Sequence, residues 1–339
     1  MSDRSLSDDE LDLVATLQIA PRAPLNLLAE VLGVSVNTVR RRLSRLHDER
    51  LIRVIGQLDW SLSGEGNPWH VWVRTERGCA KQVAEHLAGM PDVQMAATAA
   101  GRADVYCAVQ PARRVHVENL LTEQLQDLDG IRSVHSELVL RAFTKSSSWR
   151  LRRLSAEQSA ALHTATLPDE VDDELGDELG RDELAAVRLL HEDGRISAAQ
   201  IARRLGIAPS TAYRLTQSLL HRGVIRPSVE VEPRLLGYRY EAMIALQVRP
   251  GQTNTVAEEL AQHPSARYVS VTAGTSSVIH GGVFADEEAL GEFLTGDLAA
   301  LGGITSFEVS VLLNIYKRHW LPRAHGEIGA TVSRYSRPE

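Results

Sequence analysis

Apolar residues recur every three or four positions in three short stretches near the N-terminus, a spacing typical of amphipathic helices. The stretches run over residues 11–17, 25–32 and 36–46. Gly33 and Ser35 separate the last two stretches, and a glycine suits a tight turn while a serine suits the N-cap of the next helix. The pattern therefore predicts a helix-turn-helix covered by one further helix on its N-terminal side.

A different pattern follows, in which apolar and polar residues alternate over short stretches as they do in half-buried strands. Two helical stretches interrupt the alternation, and Gly101 lies between the two middle strands. The predicted elements are strand 68–75, helix 80–88, strands 93–98 and 105–110, helix 115–127 and strand 131–140. This βαββαβ order predicts a ferredoxin-like sandwich.

Both units occur twice, because the second half of the chain matches the first at a constant offset of 173 residues. Aligned pairs include Gly33 and Gly206, Pro91 and Pro264, and Gly101 and Gly274. Chance does not align glycines and prolines at one offset over such a length, so the sequence predicts an internal duplication. The fold class is therefore α+β, with two copies of a winged helix-turn-helix domain, each followed by a ferredoxin-like domain.

The predicted boundaries follow from that alignment. They place helix-turn-helix domains at 6–60 and 179–235, ferredoxin-like domains at 66–150 and 238–320, a helix and acidic linker at 151–178, and a C-terminal tail at 321–339. Ser155 and Gln158 have the spacing of a capping box, which predicts the start of the linker helix.

The net charge of −7 comes mainly from one segment. Between Asp169 and Glu183 there are nine acidic residues and one basic residue, Arg181. The acidic total therefore does not exclude a nucleic-acid partner, because a local basic patch is what binds phosphate. No apolar stretch reaches the ~18 residues of a membrane span, and the acidic N-terminus is unlike a signal peptide. These features predict a cytoplasmic protein that does not enter a membrane.

Basic and amide side chains gather on the second helix of each predicted helix-turn-helix. In a major groove, arginine pairs with guanine and asparagine with adenine, so this helix predicts binding to double-stranded DNA. The candidate DNA-binding residues are Ser35, Asn37, Thr38, Arg40, Arg41, Arg42 and Arg45 in copy one, and Ser210, Thr211, Tyr213, Arg214, Gln217 and Arg222 in copy two. The copies differ at several of these positions, which predicts two different half-sites.

Motifs for catalysis are missing from the sequence. It contains no phosphate-binding loop, no nucleophile elbow and no zinc-protease motif, and its histidines and two cysteines have no metal-ligand spacing. His70, between Trp69 and Trp72 on a predicted strand, is interpreted as a packed side chain. We therefore predict no catalytic residue, metal or cofactor, and no enzyme.

The segment from Leu17 to Arg53 and the βαββαβ unit after it resemble the Lrp/AsnC family of bacterial transcription regulators. The run Leu32-Gly33-Val34-Ser35 that leads into Arg40 and Arg41 carries much of this resemblance. The resemblance implies a double-length regulator whose helix-turn-helix domains bind DNA. It also implies that the sandwich, called the RAM domain in that family, pairs through its sheet and binds an amino acid or a similar small effector.

The same resemblance implies an effector site at the glycine and aspartate turn between the second and third RAM strands. Copy one keeps this turn, and its candidate effector-binding residues are Thr98, Gly101, Arg102 and Asp104. Copy two has Ser277 in place of the acid, so we expect only copy one to bind an effector. Pairing of RAM sheets, within one chain or between chains, predicts a homo-oligomer.

Two alternatives from other classes stay open. Siroheme decarboxylases share the two-module layout, and Leu236-Gly237-Tyr238 is loosely similar to them. A ligand-independent architectural protein that bends or bridges DNA is the other alternative. Against the enzyme, the basic helices would have no purpose there, and the sequence reveals no cluster of histidine and arginine that could hold a tetrapyrrole.

Overall fold

A computed structural model describes residues 5–58, 66–111, 114–144, 149–164 and 179–331. Most of the predicted acidic linker, residues 165–178, lies outside the described residues, as do 332–339 of the predicted tail. None of the described helices is long and apolar enough to cross a membrane.

The N-terminal unit consists of the helices that the apolar periodicity predicts, α1 (Asp8–Ile19), α2 (Leu25–Val31) and α3 (Val36–Asp48). Ser35 caps α3 as expected, because its Oγ accepts a hydrogen bond of 3.1 Å from the Thr38 backbone N–H. The buried stripe of each helix packs on the others, and strand β1 (Ile52–Leu58) follows α3.

The βαββαβ order of copy one is confirmed. Its elements are β2 (Trp69–Thr75), α4 (Ala80–Gly89), β3 (Val93–Gly101), β4 (Val105–Val109), α5 (Arg114–Asn119), which continues into a π-helical turn, and β5 (Ile131–Thr144). Helix α6 (Ala156–His163) begins at the predicted capping box of Ser155 and Gln158 and returns to α2, where the Gln158 side chain donates to the Val31 carbonyl at 2.8 Å.

The second half repeats this order of elements. Its helices and strands are α7 (Arg181–Glu192), α8 (Ala198–Leu205), α9 (Pro209–His221), β6 (Ile225–Val231), β7 (Tyr240–Val248), α10 (Thr253–Gln262), β8 (Ala266–Ala273), β9 (Val278–Phe284), α11 (Glu287–Glu292), α12 (Leu298–Ala300) and β10 (Ile304–Arg318). Two short strands, β11 (Leu321–Ala324) and β12 (Glu327–Ile328), extend β10.

Strands β1 and β6 form an antiparallel two-stranded ribbon between the two helical units. Ile55 pairs with Ser228, the residue 173 positions later, so a pseudo-two-fold axis passes through this pair. The prediction of a winged domain is wrong in this respect: among the described residues, the strand after each third helix pairs with its counterpart and forms no two-stranded wing within its own unit.

Two equivalent arginines join the helical units beside this ribbon. Arg22 donates to the Gly194 carbonyl at 2.5 Å and to the Ile196 carbonyl at 3.1 Å. Arg195 makes the equivalent bonds in the other direction, to the Pro21 carbonyl at 2.5 Å and to the Ala23 carbonyl at 2.8 Å. Each bond on one side therefore has its symmetric counterpart on the other, as in the self-complementary interface of a two-fold dimer.

Eight of the described strands close into a barrel, in the order β3, β4, β2, β5, β8, β9, β7, β10 and back to β3. The long strands make this possible, because the first part of β5 pairs with β2 and its last part with β8, while β10 divides in the same way between β7 and β3. The expected pairing of the two sheets therefore takes place within one chain, and their inner faces bury a shared core.

The arginine contacts generate a stability prediction. Replacing Arg22 with Met removes two charge-assisted bonds to backbone carbonyls, so we expect the free energy of unfolding to fall by about 1.5–3 kcal/mol. Urea titration followed by fluorescence measures this loss. Arg40→Met, which removes an exposed arginine, is the matched control and should change stability by less than about 0.5 kcal/mol. Equal effects of the two substitutions would contradict a special role for Arg22.

Candidate functional site

The third helix of each helical unit, α3 or α9, presents its candidate DNA-binding side chains to solvent, and we call it the recognition helix. On α3, Asn37, Arg40 and Arg41 are exposed, and Arg40 Nη1 donates to Asn37 Oδ1 at 2.8 Å. Ser35 and Thr38 share a hydroxyl contact of 2.9 Å at the N-cap. The first two turns of α3 therefore expose one amide and two guanidinium groups to solvent.

Arg42 and Arg45 are held by α1. The Arg42 side chain, 19% exposed, pairs with Asp9, and the Arg45 side chain, 50% exposed, pairs with the buried Glu10. These ion pairs fix α3 against α1, so the two arginines are less available for DNA than the sequence alone indicates. Their role in DNA binding stays a prediction.

Recognition helix α9 repeats the arrangement with different side chains. Ser210, Thr211, Tyr213 and Arg214 are exposed, and Gln217 is half-buried. Arg222 follows the helix and forms an ion pair of 2.5 Å with Glu183 of α7. Arg41 and Arg214 are equivalent, so each recognition helix exposes one guanidinium at the same place.

Gly101, the glycine of the predicted effector turn, has a role in closing the barrel. Its φ is +130°, and a Cβ there would lie 2.0 Å from the Val309 carbonyl oxygen of β10. At the equivalent Gly274 a Cβ would lie 2.4 Å from Glu137 Cγ of β5. Each copy therefore needs glycine at this position, because the long strand of the other copy passes close to its backbone. The sequence alone predicted a turn here and not this contact.

Arg102 connects the two copies at this turn. Its guanidinium donates to Ser276 Oγ at 2.7 Å, Thr275 Oγ1 at 2.6 Å and Glu137 Oε1 at 3.0 Å, and it lies over the Trp72 ring at 5.0 Å. Because Thr275 and Ser276 belong to the matching turn of copy two, the two turns lie side by side.

Glu137 is the fully buried acceptor of this group. Besides Arg102, it accepts hydrogen bonds from Trp72 Nε1 at 3.1 Å and from the Ser276 backbone N–H at 2.9 Å. Burial alone would raise the pKa of the Glu137 carboxyl, but Ser276 and the charge of Arg102 lower it to about 2. The Glu137 carboxyl is therefore ionised near pH 7, and it accepts hydrogen bonds from both copies at their junction.

The other two candidate effector residues, Asp104 and Thr98, have structural partners. Asp104 Oδ2 accepts the Thr75 backbone N–H at 2.7 Å, and Ser277 accepts the equivalent Val248 N–H at 3.2 Å. Thr98 Oγ1 lies 3.5 Å from the Asn314 carbonyl. Asp104 thus fastens strand β2, and the effector site at this turn stays a prediction.

A cavity lies inside the barrel, away from that turn, and encloses about 720 Å³ including the part open to solvent. Among its lining residues are His70, Tyr106, Tyr268, Arg267, Arg318 and His319. The lining therefore brings together two histidines and two arginines that the sequence did not reveal as a cluster. These residues come from four strands and one turn, so their positions in the sequence gave no sign of their proximity.

His70 lies at one end of the cavity with both ring nitrogens bonded. Nδ1 is 2.7 Å from the Tyr106 hydroxyl, and Nε2 is 3.3 Å from Ser270 Oγ. Burial lowers the pKa of His70 to about 4, against the opposing charge of Glu137. The interpretation of His70 as a packed side chain agrees with this geometry, and the ring is neutral near pH 7.

Seven charged or titratable side chains form an ion cluster, and Arg267, Arg318, His319 and Glu241 of this cluster line the cavity. They are Arg267, Arg318, His319, Arg323, Glu230, Glu232 and Glu241. His319 Nδ1 lies 2.7 Å from Glu230 Oε1, and Arg323 donates to Glu230 Oε2 at 2.8 Å. Because Glu230 belongs to β6, the ion cluster joins the barrel to the ribbon that separates the recognition helices.

Comparison with family models gives matches in both halves of the chain. The Lrp/AsnC ligand binding domain matches residues 70–149 and 241–321, and the AsnC-type helix-turn-helix domain matches 9–47. Residues 186–228, which contain α9, match the IclR helix-turn-helix domain instead. The architecture thus defines a helix-turn-helix protein with ligand-binding domains of the Lrp/AsnC type.

Curated relatives are regulators of about half the length of this chain. The HTH-type transcriptional regulator PH0140 of Pyrococcus horikoshii is 33% identical over 141 residues, which are 41% of this chain and 89% of that protein. The HTH-type transcriptional regulator Ptr1 of Methanocaldococcus jannaschii is 25% identical over 140 residues, 41% of this chain and 95% of that protein. The chain belongs to the Lrp/AsnC family of transcriptional regulators.

A solved structure matches the full length. The siroheme decarboxylase NirDL covers 97% of this chain and 96% of its own, with a TM-score of 0.61 and 14% sequence identity. At this identity the match concerns the fold alone, and it shows that the arrangement of both halves occurs in another single chain.

The buried histidine generates a prediction about pH. The pKa of His70 is about 4 in the folded protein, below its ordinary value of 6.5, so between these values only the unfolded chain binds the proton. We expect stability to fall by about 2 kcal/mol from pH 7 to pH 5 on account of His70 alone. Urea unfolding at the two pH values measures the slope.

His70→Gln should reduce that slope, because glutamine does not titrate. His47→Gln, which changes an exposed histidine on α3, is the control and should leave the slope as it is. A His70→Gln protein with the slope of the original would show that the pKa of His70 is the same in the folded and unfolded chain, which would contradict this interpretation.

Proposed function

We propose that the chain is a double-length Lrp/AsnC regulator in which one polypeptide holds a pair of DNA-reading units. The observation that carries this proposal is the reciprocal contact of Arg22 and Arg195 beside the β1–β6 ribbon. It fixes the two recognition helices as a pair related by a pseudo-two-fold axis. Paired recognition helices related by a two-fold are the arrangement with which helix-turn-helix proteins read two half-sites.

The exposed side chains of the recognition helices support double-stranded DNA as the partner. Arg41 and Arg214 project at equivalent positions, while Arg40 in copy one is replaced by Tyr213 in copy two. A guanidinium reads guanine, and an aromatic side chain contacts the thymine methyl group or the sugar. The DNA site of this chain is therefore proposed to have two unlike halves.

The decarboxylase is the second candidate, and one observation favours it: the cavity brings two histidines and two arginines together in a fold like that of NirDL. The regulator explains more of the chain, because a decarboxylase does not require exposed arginines at matching positions of two recognition helices. A visible absorbance band from a bound tetrapyrrole in the purified protein would favour the enzyme.

Assembly of several copies of this chain into a homo-oligomer is also proposed. Leu140 of β5 and Leu313 of β10 are equivalent residues, and each is about half exposed. Two apolar side chains repeated by the pseudo-two-fold axis suit a contact with a further copy of this chain, since symmetric patches build closed assemblies.

The first test of the regulator is DNA binding by single variants. Arg41→Ala and Arg214→Ala should each weaken binding to a duplex selected from random DNA by about 1–3 kcal/mol, because each removes one base-reading guanidinium. Fluorescence anisotropy gives the affinities. Each variant should relax base preference in one half of the site only.

Arg132→Ala is the matched control, since it removes an exposed arginine of the barrel and the same charge. We expect it to leave the affinity within about twofold of the original. A perfectly palindromic selected site would contradict unlike halves. Equal losses of DNA affinity for Arg41→Ala, Arg214→Ala and Arg132→Ala would indicate that the protein binds DNA only by non-specific attraction between charges.

An amino-acid effector at the Gly101 turn is tested by separating the two roles of Asp104. Asp104→Asn keeps an oxygen for the Thr75 N–H but loses the charge that selects an ammonium group, so it should weaken binding by about 1–3 kcal/mol. Titration calorimetry with a panel of amino acids should find one site per chain. Ser277→Ala should bind normally, whereas two equivalent sites or full binding by Asp104→Asn would reject the site.

A further inference from the structure

The barrel cavity is separate from the predicted effector turn, because Thr98, Gly101, Arg102 and Asp104 do not line it. The space inside it that water-sized groups can occupy is about 100 Å³, so it suits a compact molecule. Both copies contribute walls: His70 and Tyr106 come from copy one, and Met243 and Arg318 come from copy two. A ligand in this cavity would touch both halves of the chain at once.

The charged end of the cavity has unused hydrogen-bonding capacity. The Arg318 side chain is 5% exposed; its Nη2 pairs with Glu241, but its Nη1 has no hydrogen-bond partner among the described residues. Arg267 approaches the same Glu241 oxygen at 3.9 Å, and its Nε has no partner among those residues either. Buried guanidinium groups with free N–H bonds fit an added carboxylate, which accepts several bonds at once.

The rest of the cavity carries no charge to match. Met95, Ala108, Met243 and Leu312 supply an apolar wall, and flexible methionines adapt to the shape of a bound molecule. His70 in the lining is neutral near pH 7 and already bonded to Tyr106 and Ser270. The complementary ligand therefore has a carboxylate at one end and an uncharged apolar body at the other.

A route leads from this cavity to the recognition helices. His319 lines the cavity and lies 2.7 Å from Glu230 of β6, which pairs with Arg53 of β1 in the ribbon. His319 and Trp320 form a two-residue turn with φ of +49° and +58°, a conformation that side chains other than glycine adopt at a cost. Trp320 Nε1 anchors the turn on the Pro91 carbonyl at 2.9 Å.

We propose that the barrel cavity is a second effector site, which binds a compact carboxylic acid with an apolar body and reports its binding to the ribbon through His319 and Glu230. The second part rests on the proposed DNA-binding function. The first part does not, so a direct binding measurement and a DNA measurement distinguish failure of this site from failure of the regulator.

The binding test compares two probes that differ only in charge, 3-phenylpropionate and 3-phenylpropionamide. Titration calorimetry on the full chain should show the acid binding about tenfold more tightly than the amide, because only the acid offers a carboxylate to Arg318 and Arg267. The variant Arg318→Met removes one of the two guanidinium groups and leaves Glu241 with Arg267, so no net positive charge faces the ligand and no carboxylate is left without a partner. It should abolish the preference for the acid.

A second variant tests the location without touching any charge. Ala108→Leu places a larger side chain on the apolar wall and should weaken binding of both probes by about tenfold or more. Ala299→Leu, the same change at an exposed position on α12, is the matched control and should bind as the original does. Normal binding by Ala108→Leu, an amide that binds as well as the acid, or no binding by either probe at millimolar concentration would overturn the site.

The DNA test measures affinity for the selected duplex with and without saturating 3-phenylpropionate. We expect a change of about fivefold in the original chain and no change in Glu230→Gln, which should still bind the acid. Acid binding that leaves DNA affinity unchanged would overturn the route through His319. A bound tetrapyrrole that the acid cannot displace would assign the cavity to the decarboxylase candidate and overturn the proposal.

Discussion

The structure depends on the pairing of copy one with copy two inside a single chain. Arg22 on the carbonyls of Gly194 and Ile196, and Arg195 on those of Pro21 and Ala23, are one interaction made twice. The constant offset of 173 residues makes this reciprocity possible, because each donor finds the equivalent acceptor on the other side. Covalent connection keeps the pair together at any protein concentration, whereas a dimer of separate chains depends on mass action.

The duplication also allows the two copies to differ in sequence at positions where their pairing does not require the same residue. Inside the barrel, His70 is matched by Met243 and Tyr106 by Ile279, so one copy supplies polar side chains and the other apolar ones. Glu137 is matched by Ser310 and Arg102 by Thr275, so the Arg102–Glu137 ion pair has no counterpart at the equivalent positions. A symmetric dimer would repeat each such site, while this chain holds each of them once.

The local elements could be predicted from the sequence because their causes are local. The apolar period gives α1, α2 and α3, Ser35 caps α3, and alternation gives the strands. The ribbon, the β5–β8 and β3–β10 pairs that close the barrel, and the contacts of Glu230 with His319 and Arg323 join residues that are more than fifty positions apart, and no periodicity encodes such pairing. Glycine at both 101 and 274 was the available signal, since a Cβ at either position would collide with the other copy's strand.

In the proposed regulator, the ribbon is the element that connects the barrel to the recognition helices. A ligand shifts a protein between arrangements only as far as it binds one of them more tightly, so the contacts that change must lie on the path between them. Glu230 satisfies this condition: it is buried in the ribbon that spaces the recognition helices, and its partners His319 and Arg323 belong to the extension of the barrel. The ionic contact between the barrel and the ribbon is therefore the physical connection through which a ligand in the cavity would act on the spacing of the recognition helices.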